Sequence, residues 1–447
     1  MELATLQNIY FVGIGGIGMS ALARYFRYLG CEVAGYDKVE TALTQQLVKE
    51  GIAIHYQDEV ALLPAKIDLV VYTPAIPDSH RQLTHLRAQN YPIKKRAAVL
   101  GLISRHKKTI GVAGTHGKTT TSAILTHLLR ESGVYCTAFL GGIAANLKSN
   151  FVAGDSDWVV MEADEFDRSF LHLHPHIGVI TSMDADHLDI YGDAQHLHES
   201  FAAYAAQVQE TLYHAEGLPL EQTAGRTYQR YGPAASNAVQ VYNIRSAAPD
   251  MCFDWRGHGQ DWKDLRFSMA GLHNVYNASV ALGIAVQLGA SEAALRQALQ
   301  SFKGIQRRFE WVYQSPTVVY IDDFAHHPTE LDAAIQAARH LYPERRLTGI
   351  FQPHLYSRTQ DFASEFAKSL DALDEVILLD IYPAREAPIP GISSDTIYDQ
   401  MQLDQKERCT KAELLTVLEA RPLEVLLTLG AGDIGAMTQD IVQLLKK

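Results

Sequence analysis

The chain has 447 residues, with 51 acidic and 39 basic side chains and a formal net charge of −12 at pH 7. A chain of this length exceeds one hydrophobic core and predicts two or three domains. The acidic balance argues against broad binding to nucleic acid or to an anionic membrane surface, and it leaves open a local basic pocket for phosphates.

The cysteines and the first residues indicate the compartment. The four cysteines are far apart and form no CxxC pair, as expected of reduced thiols. The first residues lack a basic region followed by an apolar run, so we expect no signal peptide. No uncharged apolar run is long enough to span a bilayer. We expect a cytoplasmic protein, monomeric or weakly dimeric, without nucleic-acid or membrane partners.

The first predicted strand, residues 8–12, runs into a glycine turn and then a helix. The turn has the GxGxxG pattern of dinucleotide-binding domains. A second strand ends at Asp37, about 20 residues further on, where an acidic residue commonly bonds a ribose hydroxyl. These residues by themselves favour NAD or FAD, and the alternative is a turn that only packs the helix on its strand. The glycines are Gly13, Gly15, Gly16 and Gly18.

A second glycine loop follows an apolar strand and precedes a helix. Strand, glycine loop and helix together present backbone N–H groups to a phosphate. Lys118 adds a positive charge, and the Thr119 hydroxyl can hold a magnesium ion. The general P-loop pattern wants glycine at Val112, so the alternative is a turn with a surface lysine. The predicted phosphate-binding residues are Gly114, Thr115, His116, Gly117, Lys118, Thr119 and Thr120.

Two further strands of this domain end in polar residues. The first ends at Glu162 and the second leads to His187, and ligands bind at the carboxyl ends of strands in open α/β sheets. Both side chains suit a magnesium ion beside the phosphate loop. The histidines at 172, 174 and 176 could suggest zinc, but no second ligand cluster accompanies them, and this favours strand or loop histidines.

The rest of the chain predicts a sheet extension, a helix pair and a third α/β region. Residues 213–266 are polar and favour an extension of the central sheet. Asn274 and Asn277 lie three apart on a helix, where they suit a base edge or, alternatively, a helix cap. Strands and helices then alternate. Polar motifs follow three strands, at residues 322–328, 352–359 and 430–435.

This order of motifs resembles the Mur ligase family, which builds the peptide stem of the bacterial cell wall. The resemblance implies an N-terminal Rossmann-like domain (residues 1–106), a central P-loop-type mononucleotide-binding α/β sheet (107–309) and a C-terminal Rossmann-like α/β domain (310–447). The stretches that carry it are residues 13–18, 114–121, 162–165, 186–187, 273–277, 307–309, 322–328, 352–359 and 430–432.

Within the family, the alanine-adding branch is most similar. That resemblance implies ATP-driven amide formation through an acyl phosphate, with Mg²⁺ as cofactor and UDP-N-acetylmuramate and L-alanine as substrates. It assigns the first glycine loop to UDP rather than NAD. It implies metal ligands at Thr119, Glu162 and His187, ATP contacts at Asn274, Asn277, Arg308 and Asp323, and catalytic or amino-acid-pocket roles for Lys118, His326 and Arg358.

The sequence departs from the family pattern at two places that concern its assignment to the alanine-adding branch. Relatives often carry arginine where this chain has Leu355, so Arg358 would hold the alanine carboxylate with less help. Residues 188–209 contain no lysine, whereas some relatives carry a carbamylated lysine there, and this fits the alanine-adding branch. The alternatives are the ligase that recycles cell-wall tripeptide, folylpolyglutamate synthase, a nucleotide-switch protein and a nicotinamide oxidoreductase.

Overall fold

The computed structural model describes residues 3–184, 191–247, 250–384 and 386–446. The chain divides into two compact units. The first comprises Met1–Tyr242, Asp254–Lys263 and Tyr276–Phe302, and the second comprises Asn243–Phe253, Asp264–Val275 and Lys303–Lys447. Among the helices of the described ranges, none combines the length and the apolar character that crossing a membrane requires.

Parallel strands form the first sheet, in the order β3-β2-β1-β4-β5. They are Asn8–Val12 (β1), Glu32–Tyr36 (β2), Ala53–His55 (β3), Leu69–Tyr72 (β4) and Ile93–Lys95 (β5). Its helices are Ile17–Tyr28 (α1), Ala42–Lys49 (α2), Arg81–Ala88 (α3) and Arg96–His106 (α4). The strand order reverses beside β1, and the glycine turn follows that strand, as expected of a Rossmann-like domain.

The central sheet has the order β15-β14-β13-β12-β11-β10-β6-β9-β7-β8. Its strands are Lys108–Ala113 (β6), Thr137–Ala144 (β7), Ser149–Val152 (β8), Trp158–Glu162 (β9), Ile177–Ile180 (β10), Thr211–Ala215 (β11), Thr227–Gly232 (β12), Val239–Ala247 (β13), Asp250–Gly257 (β14) and Gln260–Phe267 (β15). Its helices are Lys118–Glu131 (α5), Ala194–Gln207 (α6), Leu272–Gln287 (α7) and Glu292–Ser301 (α8). Strand β6 pairs in parallel with both β10 and β9. The ends of these three strands therefore meet at one edge.

The third sheet lies in the second unit and has the order β16-β17-β21-β18-β19-β20. Its strands are Glu310–Gln314 (β16), Val319–Asp323 (β17), Leu347–Phe351 (β18), Glu375–Leu378 (β19), Lys406–Arg408 (β20) and Val425–Leu429 (β21). Its helices are Pro328–Leu341 (α9), Tyr356–Leu370 (α10), Asp395–Tyr398 (α11), Leu414–Glu419 (α12) and Thr438–Leu445 (α13). Only β16 pairs antiparallel. The three predicted polar motifs follow β17, β18 and β21, which are neighbours.

One hydrophobic core joins the first and central sheets within the first unit. The hairpin β7–β8 packs on α1, with the Tyr25 ring 5.3 Å from the Phe139 ring and 6.1 Å from the Phe151 ring. The buried side chain of Asn150 donates to Ser20 Oγ at 2.9 Å. Because α1 begins at the first glycine turn, the hairpin links the two glycine loops through packed side chains.

Candidate active site

The second glycine loop has the backbone that a phosphate cradle needs. Gly114 and Gly117 have φ angles of 136° and 83°, a conformation that residues with a Cβ adopt only with strain. A Cβ on Gly114 would lie 2.0 Å from Thr181 Oγ1. Helix α5 begins at Lys118 without a side-chain cap, so its first N–H groups suit an anion.

The loop is fastened to the segment that follows β10. The hydroxyls of Thr115 and Ser182 lie 2.9 Å apart, and the His116 backbone N donates to Ser182 Oγ at 2.7 Å. The backbone N of Asp184 donates to Thr115 Oγ1 at 3.0 Å. Thr115 and His116, predicted to bind phosphate, thus also shape the loop. The sequence did not predict Ser182 as their partner, because the pairing depends on the adjacency of β6 and β10.

Lys118 forms a buried ion pair with Glu165. Its Nζ lies 2.7 Å from Glu165 Oε2 and also donates to the Gly114 carbonyl at 2.7 Å. Burial by itself lowers the pKa of Lys118, but the Glu165 carboxylate and two neighbouring carboxylates outweigh it, so the pKa lies above the ordinary value. Burial raises the pKa of Glu165 to about 7, against the opposing Lys118 charge. Glu165 was not predicted as a site residue.

Thr119 and Glu162 meet as predicted. Thr119 Oγ1 donates to Glu162 Oε1 at 3.0 Å, and the backbone N of Gly141 donates to Glu162 Oε2 at 2.9 Å. A hydroxyl and a carboxylate beside a phosphate loop are oxygen donors of the kind that Mg²⁺ prefers, so these residues fit that ion. The third predicted ligand, His187, lies outside the described residues. The described residues hold no cluster of three or more His, Cys, Asp or Glu side chains suited to a metal.

The first glycine loop is held by Asp37. The Gly15 backbone N donates to Asp37 Oδ2 at 2.7 Å, and a Cβ on Gly15 would lie 2.8 Å from that oxygen. The carboxylate therefore orders the glycine loop, and its role as a ribose contact stays a prediction. Arg96, at the start of α4, packs against Gly18, and its NH2 group lies 3.4 Å from Asp164 Oδ2. Arg96 was not predicted.

The second unit gathers Asp323, Arg308, His326 and Glu330. The half-buried Asp323 side chain accepts hydrogen bonds from the backbone N atoms of Phe309 and Ala325, at 2.6 Å and 2.7 Å. Burial raises the pKa of Asp323 to about 7, while Arg308 opposes that rise. Arg308 NH1 lies 3.6 Å from Glu330 Oε1. These contacts bring the predicted Arg308, Asp323 and His326 together.

The neighbouring Arg307 has a structural role instead. Its Nε donates to Asp322 at 3.0 Å and its NH2 group donates to the Gly430 carbonyl at 2.6 Å. Arg307 therefore ties the glycine turn after β21 to the end of β17. The two adjacent arginines thus point to different partners, which their sequence positions alone do not distinguish.

The predicted asparagines also make contacts. The buried Asn274 side chain donates to the Ala270 carbonyl at 2.6 Å. This bond is not an N-cap, in which the side-chain oxygen accepts a backbone N–H, so the capping alternative stays a prediction. Within the first unit, a Cβ on Gly117 would lie 3.0 Å from Asn277 Oδ1. Asn277 therefore lies beside the phosphate loop, as predicted for a nucleotide contact.

Arg358 is buried on α10, with 5% exposure. Its NH1 group lies 3.3 Å from His354 Nδ1, and the His354 and His326 rings are 5.9 Å apart. Leu355 precedes the helix with a φ of 73° and is itself buried. A leucine rarely adopts that backbone, and such strain is common at functional sites.

Two glycine loops, each between the end of a parallel strand and the start of a helix, are the arrangement expected of a nucleotide-using α/β enzyme. Family models match most of the chain: the Mur ligase family catalytic domain over residues 8–108, the Mur ligase middle domain over 112–285 and the Mur ligase glutamate ligase domain over 307–432. The chain belongs to the Mur ligase family, as the motif order predicted.

Individual relatives show which members of the family this chain is similar to. The chain is 48% identical to the UDP-N-acetylmuramate–L-alanine ligase of Flavobacterium psychrophilum, over 99% of this chain and 98% of the relative. It is similar to the crystal structure of UDP-N-acetylmuramate–alanine ligase from Thermotoga maritima, with a TM-score of 0.85, 29% identity and coverage of 98% and 99%. A murein peptide ligase from Psychrobacter arcticus shares the fold at 22% identity and a TM-score of 0.71, with 98% of each chain covered.

Proposed function

We propose that this protein is an ATP-dependent ligase that joins L-alanine to UDP-N-acetylmuramate in peptidoglycan synthesis, in the cytoplasm. The observation that carries the proposal is its 48% identity, over nearly the full length of both chains, to a ligase of that name. The two glycine loops supply what such substrates need. One suits the UDP diphosphate and the other suits the ATP phosphates.

The first step forms an acyl phosphate. A carboxylate oxygen of the sugar nucleotide attacks the γ-phosphorus of ATP, and the bond from that phosphorus to the bridging oxygen of ADP breaks. Two anions must meet, so the step depends mainly on positive charge. Lys118 and the N–H groups at the start of α5 supply it from this chain. Bound magnesium, held by Thr119, Glu162 and His187, would add charge neutralisation on the phosphate oxygens.

The second step forms the amide. The alanine nitrogen attacks the acyl carbon, a C–N bond forms, and the C–O bond to phosphate breaks. We assign His326 and Arg358 to the alanine site, since a buried arginine suits a carboxylate leaving water. Arg308, Asp323, Asn274 and Asn277 are assigned to the nucleoside and phosphates of ATP.

One assay tests the proposal. Phosphate release from ATP would be measured with UDP-N-acetylmuramate and, in turn, L-alanine, L-serine, glycine and the cell-wall tripeptide. We expect L-alanine to give the highest kcat/KM, with no release when the sugar nucleotide is omitted. Release with the tripeptide alone would replace this function with the recycling ligase.

A further inference from the structure

His326 lies between β17 and α9, with its ring largely buried. Its Nδ1 atom is 2.9 Å from the Phe324 carbonyl oxygen and 3.1 Å from Glu330 Oε2. A carbonyl and a carboxylate can only accept hydrogen bonds. Nδ1 must therefore carry the hydrogen, and a neutral His326 ring keeps its lone pair on Nε2.

Glu330 is placed to hold this arrangement in both protonation states of the ring. Its Oε2 atom also accepts the His326 backbone N–H at 3.0 Å, which fixes the loop as well as the ring. Arg308, 3.6 Å away, favours the ionised carboxylate. Asp323 and His273 both interact electrostatically with Glu330 and Arg308, and the His354 ring centroid lies 5.9 Å from that of His326. A carboxylate behind a histidine is the arrangement that orients and supports a general base.

We propose that His326 Nε2 is the general base that deprotonates the ammonium of L-alanine, and that Glu330 is its positioning residue. This inference rests on the proposed function. An α-amino group is mostly protonated near neutral pH and has no lone pair to attack with. The N–H bond breaks, the proton moves to Nε2, and the freed lone pair attacks the acyl carbon. Phosphate then leaves with the electrons of the C–O bond.

A structural role for Glu330 predicts a different result. Glu330 is the third residue of α9, where a carboxylate also stabilises the helix start. If that were its whole contribution, its loss would lower stability and would affect every nucleophile equally. A nucleophile that needs no deprotonation separates the two roles. Hydroxylamine is such a probe, since its nitrogen is largely uncharged near neutral pH and it converts an acyl phosphate to a hydroxamate.

The experiment compares His326→Gln and Glu330→Gln with the parent enzyme. Each is given ATP, magnesium, UDP-N-acetylmuramate and either saturating L-alanine or hydroxylamine. We expect the ratio of alanine-dependent to hydroxylamine-dependent kcat to fall by about 100-fold or more in His326→Gln, as loss of a general base implies. In Glu330→Gln the same ratio should also fall, but by a smaller factor. His340→Gln and Asp332→Asn, exposed positions on the same helix, are the matched controls.

Other outcomes overturn the assignment. An equal fall with both nucleophiles, in variants that unfold at the parent temperature, would remove His326 from the proton transfer. A raised alanine KM with unchanged kcat would make it a binding residue only. If the parent enzyme formed neither the alanine amide nor the hydroxamate, the proposed function itself would be wrong. That result is distinct from a failure of the His326 assignment alone.

Discussion

At the scale of single residues, the Lys118–Glu165 pair is central because its carboxylate is buried and its ammonium is largely shielded from water. Glu165 has 1% exposure, so its carboxylate depends on Lys118 for a counter-charge. Removing one partner of such a pair leaves an uncompensated buried charge and commonly costs about 3–5 kcal/mol. Lys118 therefore contributes to stability as well as to the chemistry assigned to it.

We predict that Lys118→Ala abolishes turnover and lowers the free energy of unfolding by about 3 kcal/mol or more. The double variant Lys118→Ala/Glu165→Gln should regain much of the stability without regaining activity, since the buried charge is gone but the phosphate charge remains unpaired. Urea unfolding and phosphate release measure the two quantities. UDP-N-acetylmuramate binding should persist in the folded double variant, and its loss would contradict the separate roles of the two loops.

Arg358 gives a second prediction at this scale. Leu355 offers no charge, so under the proposed function Arg358 would carry more of the binding of the alanine carboxylate. Arg358→Lys should raise the KM for L-alanine about tenfold, as expected when a charge-assisted hydrogen bond of about 1.5–3 kcal/mol is weakened. The KM for ATP should change much less. If steady-state kinetics showed an unmoved alanine KM with reduced thermal stability, Arg358 would only be supporting His354.

At the scale of elements, strand ends are held by carboxylates that the backbone surrounds. Asp37 bonds the glycine loop that connects β1 to α1, and Asp323 bonds the backbone at both Phe309 and Ala325. In each case a carboxyl side chain satisfies N–H groups where the regular ladder stops. The loops near the proposed substrates are thus ordered by the protein itself.

Asp37→Ala should raise the KM for UDP-N-acetylmuramate about tenfold, since the loop loses a charge-assisted hydrogen bond. The ATP KM should stay near the parent value. Glu40→Ala, an exposed carboxylate in the same segment, is the control. NADH fluorescence should not change on mixing with the parent enzyme. Tight NADH binding that Asp37→Ala weakens would favour the oxidoreductase.

The raised pKa of Asp323 predicts a pH dependence of stability. Its pKa of about 7 lies above the ordinary value of 3.8, so the folded protein holds a proton there that the unfolded chain has released. The stability that this proton contributes is therefore fully present below about pH 4, and it is lost as pH rises from about 4 to about 7. Arg308 and Glu330 face the same carboxylate and set the extent of the effect.

Asp323→Asn removes this titration. The unfolding free energy of the variant minus that of the parent should be larger at about pH 8 than at about pH 5. We expect the increase to be at least about 1 kcal/mol, which corresponds to less than one pKa unit. Urea unfolding at the two pH values measures it. The exposed Asp404→Asn variant should show no such trend, and a trend of opposite sign would refute the raised pKa.

At the scale of the whole molecule, the first and central sheets share one core. The hairpin β7–β8 fills the surface of α1 with aromatic rings, and Arg96 lies between Gly18 of one loop and Asp164 beside the other. Both glycine loops are thus built on one compact unit. The domain boundaries inferred from sequence remain predictions, since this core crosses the first of them.

Phe151→Ala tests the shared core. Loss of a packed phenylalanine should lower the free energy of unfolding by about 3 kcal/mol. Because the cluster joins both sheets, the two glycine-loop regions should lose their hydrogen-exchange protection together in urea. Tyr135→Ala, at an exposed aromatic residue, should change stability by less than about 0.5 kcal/mol. Separate loss of protection in the two regions would contradict one cooperative unit.

The sequence alone determined the α/β class, the two glycine loops, most helices and strands, and the family. The class and the loops follow from local spacing, because glycines at 114 and 117 are needed where the backbone turns through positive φ. The family follows from the resemblance of the ordered motifs. The sequence also predicted that Thr119 and Glu162 meet, since parallel strand ends share one edge.

Only the tertiary structure decided which side chains pair across strands. Glu165 for Lys118, Ser182 for Thr115 and Arg96 for Asp164 are contacts between distant segments whose adjacency is set by strand order and burial. The edge strands β16 and β20 were likewise missed, because short strands gain their stability from the neighbour they pair with. The tautomer of His326 depends on two acceptors that are near in sequence, Phe324 and Glu330, but only the structure shows that both meet the same ring nitrogen.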